Sequence, residues 1–466
     1  MKVDIDKIKN IDNIFMIAPA GCGKTETIAD IIKEQNQNKK YLILTHTNAG
    51  VECISKRLKN KNVSNSQFKV YTIASFCYKY VNAYPKLSNV EKCKRDDYNA
   101  IYKGMVNLLI NSNIQKVIKS TYSEVLIDEY QDCIEIQHKI IVSLSKIIPC
   151  KLFGDPLQGI FGFKDKLVDW KEVANDFSFA GTFSYPWRWE KHNKQLGNWI
   201  MQTRQKLINN ENIELKNLPL GVQYIYNDDK GINLRNIAYS LLNNKADNLF
   251  LFQYEQEAHS FAQKMGGKYY SQEEVECKTL RYITKDIQDN SYNTVIAIYK
   301  LAEKCFTQFN AQLGNIYRKI QKRDYNFKRI SKNKEIAIES IKAIQTNNYT
   351  GLVQEFENNK EMKIYRKELW CELKRVLNEV RLNNSKDISE IIEDIRNTSS
   401  TTRKYKYKNL ASRILLVKGL EFNTVVLVNP EKLTKELFYV GISRPTERLI
   451  IVSKKNILNF KKGLTN

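Results

Sequence analysis

No run of apolar residues in this 466-residue chain is long enough to cross a bilayer, and its first residues, MKVDIDKIKN, lack the apolar segment of a secretory signal. Both absences lead us to expect a cytoplasmic protein without a membrane partner. None of the nine cysteines forms a CxxC pair. That pattern argues against a disulfide framework or a zinc site and for free thiols in a reducing compartment. Acidic residues are the scarcer charge: 51 Asp and Glu stand against 74 Lys and Arg, a formal charge of +23. Such an excess favours a polyanionic partner, most simply nucleic acid, although basic surfaces also occur without one.

At this length one core is insufficient, so two to four domains are expected. The first informative stretch is FMIAPAGCGKTETI, Phe15 to Ile28. A short apolar run, Ile14 to Ile17, reads as a buried strand, and Glu26 to Ile32 reads as a helix. Between them lies Ala18-Pro-Ala-Gly-Cys-Gly-Lys-Thr25. Its glycines let backbone N–H groups close around phosphates at a helix N-terminus, where the partial charge is positive. Lys24 would reach the β- and γ-phosphates, and the Thr25 hydroxyl would hold Mg²⁺. The alternative for the loop is a small-residue turn with a solvated lysine.

Further polar residues follow apolar runs, in Tyr41-Leu-Ile-Leu-Thr-His-Thr-Asn-Ala49 and Val70-Tyr-Thr-Ile-Ala-Ser-Phe-Cys77. Alone these are ordinary strand–loop junctions. The stretch Val125-Leu-Ile-Asp-Glu-Tyr-Gln-Asp132 says more. It delivers two adjacent carboxylates to a strand's C-terminal end, where parallel α/β sheets place ligands. Asp128 can hold Mg²⁺ through water, and Glu129 can polarise the water that attacks a γ-phosphate. Buried adjacent carboxylates are costly without a metal or partner. Leu152-Phe-Gly-Asp-Pro-Leu-Gln158 ends another strand, with Gln158 suited to sensing a γ-phosphate.

Taken together, these motifs resemble those of UvrD/Rep-like superfamily 1 DNA helicases. The phosphate loop matches that family's first motif. THTNA (Thr45 to Ala49) is similar to its TFTN-A motif, and DEYQD (Asp128 to Asp132) to its DE-QD box. GDPLQGIFGF (Gly154 to Phe163), KGLEF (Lys418 to Phe422) and YVGISR (Tyr439 to Arg444) resemble later motifs, in the family's order from residue 14 to about 452. The fold implied is α/β, with two RecA-like parallel-sheet motor domains carrying helical insertions. The cofactors implied are ATP and Mg²⁺.

Residue roles follow from the resemblance. Ala20, Gly21, Cys22, Gly23, Lys24, Thr25 and Thr27 would surround the nucleotide, with Thr25 and Asp128 on the metal and Glu129 on the attacking water. Gln158 would sense the γ-phosphate. In Tyr185-Pro-Trp-Arg188, Trp187 stands where a tyrosine stacks on adenine and Arg188 where the family has an arginine. Glu421 would approach the ribose, and Arg444 would be a second arginine supplied by the other motor domain. Planar, permanently charged guanidinium groups suit the charge on a transferring phosphoryl group. For the nucleic acid, Phe161 and Phe163 fall at the family's stacking positions, followed by Lys164. His46 and Asn48 lie in THTNA, with His46 replacing the stacking aromatic. Phe76 is a further candidate or else core. The stretch Arg403-Lys-Tyr-Lys-Tyr-Lys408 suits a phosphate backbone and equally a solvated linker.

Three departures stand out. Residues 1–17 contain no glutamine, although the family reads adenine with one upstream of the loop, so base selectivity is left unassigned. Leu415 occupies the position of a motif histidine. Cys22 in the phosphate loop raises the prospect of thiol-sensitive hydrolysis, or is simply a small residue. We expect a first motor domain from 1–82 and 120–185, interrupted by a short helical insertion at 83–119. A second would run through 186–275 and 405–466, interrupted by a helical insertion at 276–404. No internal repeat is apparent, and we expect no fused nuclease beyond Arg444. The compact size is similar to that of helicase subunits of antiviral defence systems such as Gabija, which work beside a separate nuclease. Two functions are therefore carried forward. One is an ATP-driven 3′→5′ translocase or helicase on single-stranded DNA or a tailed duplex. The other is a nucleic-acid-responsive ATPase subunit that regulates a partner nuclease with little unwinding of its own. Joint Phe161→Ala and Phe163→Ala substitution should weaken strand binding by roughly 1–3 kcal/mol per stacked base lost, measured by fluorescence anisotropy.

Overall fold

The computed structural model describes residues 8–34, 39–91, 93–95, 97–162, 165–228, 231–274, 277–285, 287, 290–382, 387–402 and 407–460. Phe163, Lys164 and most of the Arg403–Lys408 stretch lie outside them.

Six strands form the first sheet: β1 (Ile14–Ile17), β2 (Tyr41–Thr45), β3 (Phe68–Thr72), β4 (Glu124–Ile127), β5 (Cys150–Gly154) and β6 (Ser178–Thr182). Their order is β3-β2-β4-β5-β1-β6 and every pairing is parallel. Continuous apolar runs such as IFMI, YLILT and EVLI suit this arrangement, because helices cover both faces of a parallel sheet and leave no solvated side. A buried Lys151–Glu124 ion pair links β5 to β4 within this core. The loops leaving the C-terminal ends of β1, β2, β4, β5 and β6 carry the motif residues, at the crevice where open α/β sheets bind ligands.

The second sheet uses β8 (Val222–Tyr226), β9 (Asn248–Phe252), β10 (Tyr270–Ser271), β11 (Asn409–Arg413), β12 (Phe422–Val428) and β13 (Pro445–Ser453). Its order is β10-β11-β9-β12-β13-β8, again wholly parallel. A small antiparallel ribbon pairs β7 (Ile213–Glu214) with β14 (Ile457–Leu458). Two parallel α/β sheets in one chain are the RecA-like pair that the motifs imply.

The helical segments between strands behave differently. Helices Tyr98–Ile110 and Ser112–Thr121 put Ile101, Met105, Leu108 and Ile118 into one core with Leu44 and Val125 of the first sheet. By contrast, the helices between Lys278 and Thr402 build a core of their own around Trp370. There the Trp370 indole meets Phe306 edge-on at 4.9 Å, and Phe356 and Tyr299 pack behind it. The break between β10 and β11 thus admits a self-sufficient helical unit. Among the described residues no helix is long and apolar enough to cross a membrane.

Because Trp370 is fully buried, Trp370→Ala should cost about 3–5 kcal/mol. The loss should appear in hydrogen exchange as weakened protection across the helices from Lys278 onward, with the strands of the first sheet unchanged.

Candidate nucleotide site and adjoining cleft

The phosphate loop leaves β1 and enters the helix Lys24–Lys33 through Gly23, which caps it in the left-handed region (φ 85°). Gly21 is also left-handed (φ 72°), and a Cβ there would meet the Trp189 ring at 2.8 Å and the Arg188 Cβ at 2.9 Å. At Gly23 a Cβ would come within 3.0 Å of the Trp187 indole. Glycine is needed at both positions, by backbone conformation and by the Trp187-Arg-Trp189 segment lying against the loop. Trp187 leaves 42 % of its surface exposed and leans on Tyr185, ring centroids 4.4 Å apart.

Opposite charges meet directly beside the loop. Lys24 Nζ lies 3.0 Å from Asp128 Oδ1 and 2.5 Å from Glu129 Oε1. Burial opposes the Lys24 charge, but the two carboxylates outweigh it and raise its pKa. Burial raises Asp128, against the pull of Lys24 and with the added repulsion of Glu129. Burial would likewise raise Glu129, yet Lys24 and Lys418 hold it well below the usual carboxylate range. Glu129 is therefore held in its ionised form. Its backbone is left-handed (φ 57°), unusual for a residue with a Cβ and a form of strain that gathers at functional sites. Gln131 fixes the arrangement: its Nε2 donates to Glu129, and its Oε1 accepts from the Asp155 backbone N–H at 2.9 Å. Gln158 stands next in this chain, donating to Asp155 Oδ2 at 3.2 Å.

The second sheet closes the other side of the cleft through polar contacts. The Arg188 backbone N–H meets the phosphate loop, donating to the Gly21 carbonyl at 3.0 Å, while its guanidinium stays on the second sheet's wall, with Nε and Nη2 each 2.9 Å from Glu421 Oε1 and Nη1 donating to the Ser443 carbonyl at 2.6 Å. Lys418, from the KGLEF stretch, donates to both Asp132 oxygens at 2.7 and 2.6 Å and to the Gln158 carbonyl at 2.6 Å. Its ammonium also sits 5.0 Å from the Phe161 ring centroid. Arg204 pairs with the fully buried Asp155 at 2.7 Å, and the Tyr439 hydroxyl accepts from the Ala20 N–H at 3.1 Å. Sequence reasoning assigned no role to Lys418, Asp132, Arg204, Asp155 or Tyr439. Lys418, Asp132, Asp155 and Tyr439 lie inside the motif stretches KGLEF, DEYQD, GDPLQGIFGF and YVGISR, whereas Arg204 lies in none of them and had no signal.

Arg444 also lines this cleft, but its donors are engaged within its own half. Nε donates to the Val440 carbonyl at 2.9 Å, Nη2 to Ser443 Oγ at 2.7 Å and Nη1 to the Leu420 carbonyl at 3.4 Å. Burial and the nearby Arg188 lower its pKa to about 9. His46 lies in the same charged environment, its Nε2 3.4 Å from Cys133 Sγ. Burial, then the Lys418 charge, lowers its pKa to about 3, so its ring is neutral. Asn48 is exposed in the first turn of the helix Asn48–Asn60, which the Thr47 hydroxyl caps. Thr25 and Thr27 line the cleft beside Lys24, and Phe161 projects into it, 42 % exposed.

Two expectations are corrected. Phe76 is fully buried, packed on Tyr80 at 5.0 Å and Tyr71 at 6.4 Å, and so offers no face to a base. Its position on the inner side of the helix Ile73–Ala83 makes it core. Cys22 is 2 % exposed, with Sγ 3.8 Å from Met201 Sδ. Burial, with the Asp155 charge behind it, pushes its thiol up to about 12, so it is a packing residue without thiolate character.

Burial, offset by Lys418 and reinforced by Glu129, raises Asp132 to about 6, above its unfolded value. Even with Lys418 paired to it, its ionisation as pH rises through 6 disfavours the fold, and without Lys418 the cost is larger. Lys418→Ala should cost about 3–5 kcal/mol at pH 8, where a buried carboxylate is left unpaired. The loss should be much smaller at pH 5, where Asp132 is protonated. Thermal melts at the two pH values would show this as a larger fall in Tm at pH 8.

Residues 7–99 and 87–170 match the UvrD/REP helicase N-terminal domain. A 150-residue stretch is 26 % identical to an ATP-dependent helicase/nuclease component of Lactococcus lactis subsp. cremoris strain SK11. It is 25 % identical to the exonuclease/helicase protein RexA of strain MG1363. Each alignment covers 31 % of this chain and 12 % of the relative, so the chain spans only a small part of the curated proteins it matches. An Arterivirus nonstructural protein 10 helicase solved with DNA aligns over 94 % of this chain and 60 % of its own, at 10 % identity and a TM-score of 0.37. The family match falls on the sheet that carries the phosphate loop and the paired carboxylates. Over residues 7–170 the chain is thus similar to the UvrD/REP helicase N-terminal domain.

Proposed function

We propose that this chain is an ATP-driven motor that moves along single-stranded DNA in the 3′→5′ direction and can separate a tailed duplex. The observation that carries this reading is the pairing of Lys24 with Asp128 and Glu129, in a cleft whose opposite wall belongs to a second parallel sheet. In this reading the motor units are 1–82 with 120–185 and 186–275 with 405–466, and the inserted segments are 83–119 and 276–404.

The residues divide the work as follows. Lys24 exchanges its carboxylate partners for the β- and γ-phosphates, and the Gly21–Gly23 backbone cradles them. The Thr25 hydroxyl and Asp128 carboxylate are hard oxygen donors suited to a magnesium ion, which would neutralise phosphate charge when bound. Glu129, held ionised, orients and accepts a proton from the attacking water. Gln158 contacts the γ-phosphate. Trp187 provides a face for the base, and Glu421 lies toward the sugar. Arg188 is held by Glu421 and the Ser443 carbonyl of its own unit, so releasing Glu421 in favour of phosphate would couple the second unit to the nucleotide. Arg444 would join it after breaking bonds within its own half. Phe161, under the Lys418 ammonium, offers a stacking face to the strand next to the backbone of Gln158. His46, Asn48, Phe163 and Lys164 complete the proposed strand contacts.

A second reading treats the chain as an ATPase subunit that answers to nucleic acid and controls a separate nuclease. The names of the Lactococcus relatives, which join helicase and nuclease, favour keeping it. Robust strand displacement by the isolated chain would count against it.

Steady-state ATP hydrolysis with and without single-stranded DNA tests the first reading. Wild type should be strongly stimulated by the strand, whereas Lys24→Ala and Glu129→Gln should lose turnover and keep strand binding. Hydrolysis by both variants at the wild-type rate would refute the site assignment. Rates indifferent to DNA would point to a partner-gated ATPase.

A further inference from the structure

We infer that Tyr98 is a second stacking platform for a nucleobase of the bound strand, on the wall of the cleft that also holds Phe161. The inference rests on the proposed single-strand binding and extends it to a residue of the first helical insertion.

Tyr98 opens the helix Tyr98–Ile110, whose first turn is fixed by the Asp97 carboxylate accepting from the Ala100 N–H at 3.0 Å. One turn on, Tyr102 is 7 % exposed, while Tyr98 is 49 % exposed. Their rings stack at 25° with centroids 6.3 Å apart. One face of Tyr98 is thus backed by a buried ring, and both residues line the cleft of about 1700 Å³ that includes the phosphate loop.

A set of contacts ties this stack to Leu167 and Val168, which follow Phe161 in the chain. The Tyr102 hydroxyl accepts from Gln137 Nε2 at 2.8 Å, and Gln137 Oε1 accepts from the Ile134 N–H at 3.1 Å. Ile134 forms an antiparallel bridge to Leu167, and the Val168 N–H donates to the Cys133 carbonyl at 2.9 Å. Cys133 and Ile134 directly follow the DEYQD box, and Leu167 and Val168 close the segment that begins at Phe161. Residues 133–137 are therefore anchored on one side to Leu167 and Val168 and on the other to the tyrosine pair. A half-exposed aromatic ring on a rigid backing loses little freedom when a base stacks on it. Every base has a π-face, so such a platform is tolerant of sequence. Tyrosine at this place adds contact area without adding charge.

The test uses the full chain and a fluorescein-labelled oligodeoxythymidylate, read by anisotropy over a series of salt concentrations. Tyr98→Ala should raise the Kd about 5-fold or more. Tyr98→Leu, which keeps the bulk without a π-face, should lose affinity similarly, whereas Tyr98→Phe should bind like wild type. The slope of affinity against salt should be the same in all four proteins, because no phosphate contact is removed. Phe161→Ala serves as the internal reference. If Phe161→Ala weakens binding and both Tyr98→Ala and Tyr98→Leu leave it unchanged, the inference fails while the motor reading stands. If Tyr98→Phe loses as much as Tyr98→Ala, the hydroxyl and not the ring is responsible, and stacking is refuted. A raised KM for ATP with unchanged strand affinity would assign Tyr98 to the nucleotide instead. No strand binding by wild type would overturn both readings together.

Discussion

Charge buried at the seam between the two parallel sheets has to be paired, and that requirement organises the centre of this protein. Asp155 is fully buried and Asp132 nearly so, and an unpaired carboxylate in such a place costs several kcal/mol. Arg204 answers the first and Lys418 the second, each reaching from an element that packs on the second sheet. Neither sheet can satisfy these acids alone. The apolar part of the seam is modest by comparison, with Ala20, Leu157 and Ile160 of the first half joining the core of the second. The halves are thus held in register by directional contacts.

The same economy of charge shapes the nucleotide side. Lys24, Asp128 and Glu129 form a compact cluster that is neutralised from within, with Lys418 adding a second cation to the field at Glu129. Gln131 then carries the position of Glu129 to the backbone of Asp155, and Gln158 is bonded to the Asp155 side chain. The Lys418 ammonium touches the other end of this chain, at the Gln158 carbonyl and over Phe161. Side chains that would meet the γ-phosphate and an aromatic that would meet a base are joined by fewer than a handful of hydrogen bonds.

Much of the fold was legible because parallel strands buried on both faces are written as uninterrupted apolar runs. Ile14–Ile17, Tyr41–Thr45 and Glu124–Ile127 read as strands for that reason, and the polar residues following them landed at the sheet's ligand edge. Reading a single aromatic was less secure. Phe76 sits in a motif-like stretch, yet it is the helix's inner face that takes it, and no spacing rule separates a core ring from a platform at such a position. Cys22 is similar: its place in the loop suggested reactivity, whereas the Met201 contact and its burial show packing.

By itself the sequence determined the local chemistry: a glycine-bearing turn between strand and helix, two carboxylates at a strand end, a basic excess, and apolar runs that commit the chain to parallel sheets. These are properties of neighbours along the chain, set by backbone geometry and burial over a few residues. Only the tertiary structure decided which charges meet. Lys418 and Asp132 are 286 positions apart, and Arg188 and Glu421 are 233 apart. Pairings at that separation leave no periodic signature. They are chosen by the folded core, where the desolvation cost of each buried charge depends on what the other sheet brings within reach.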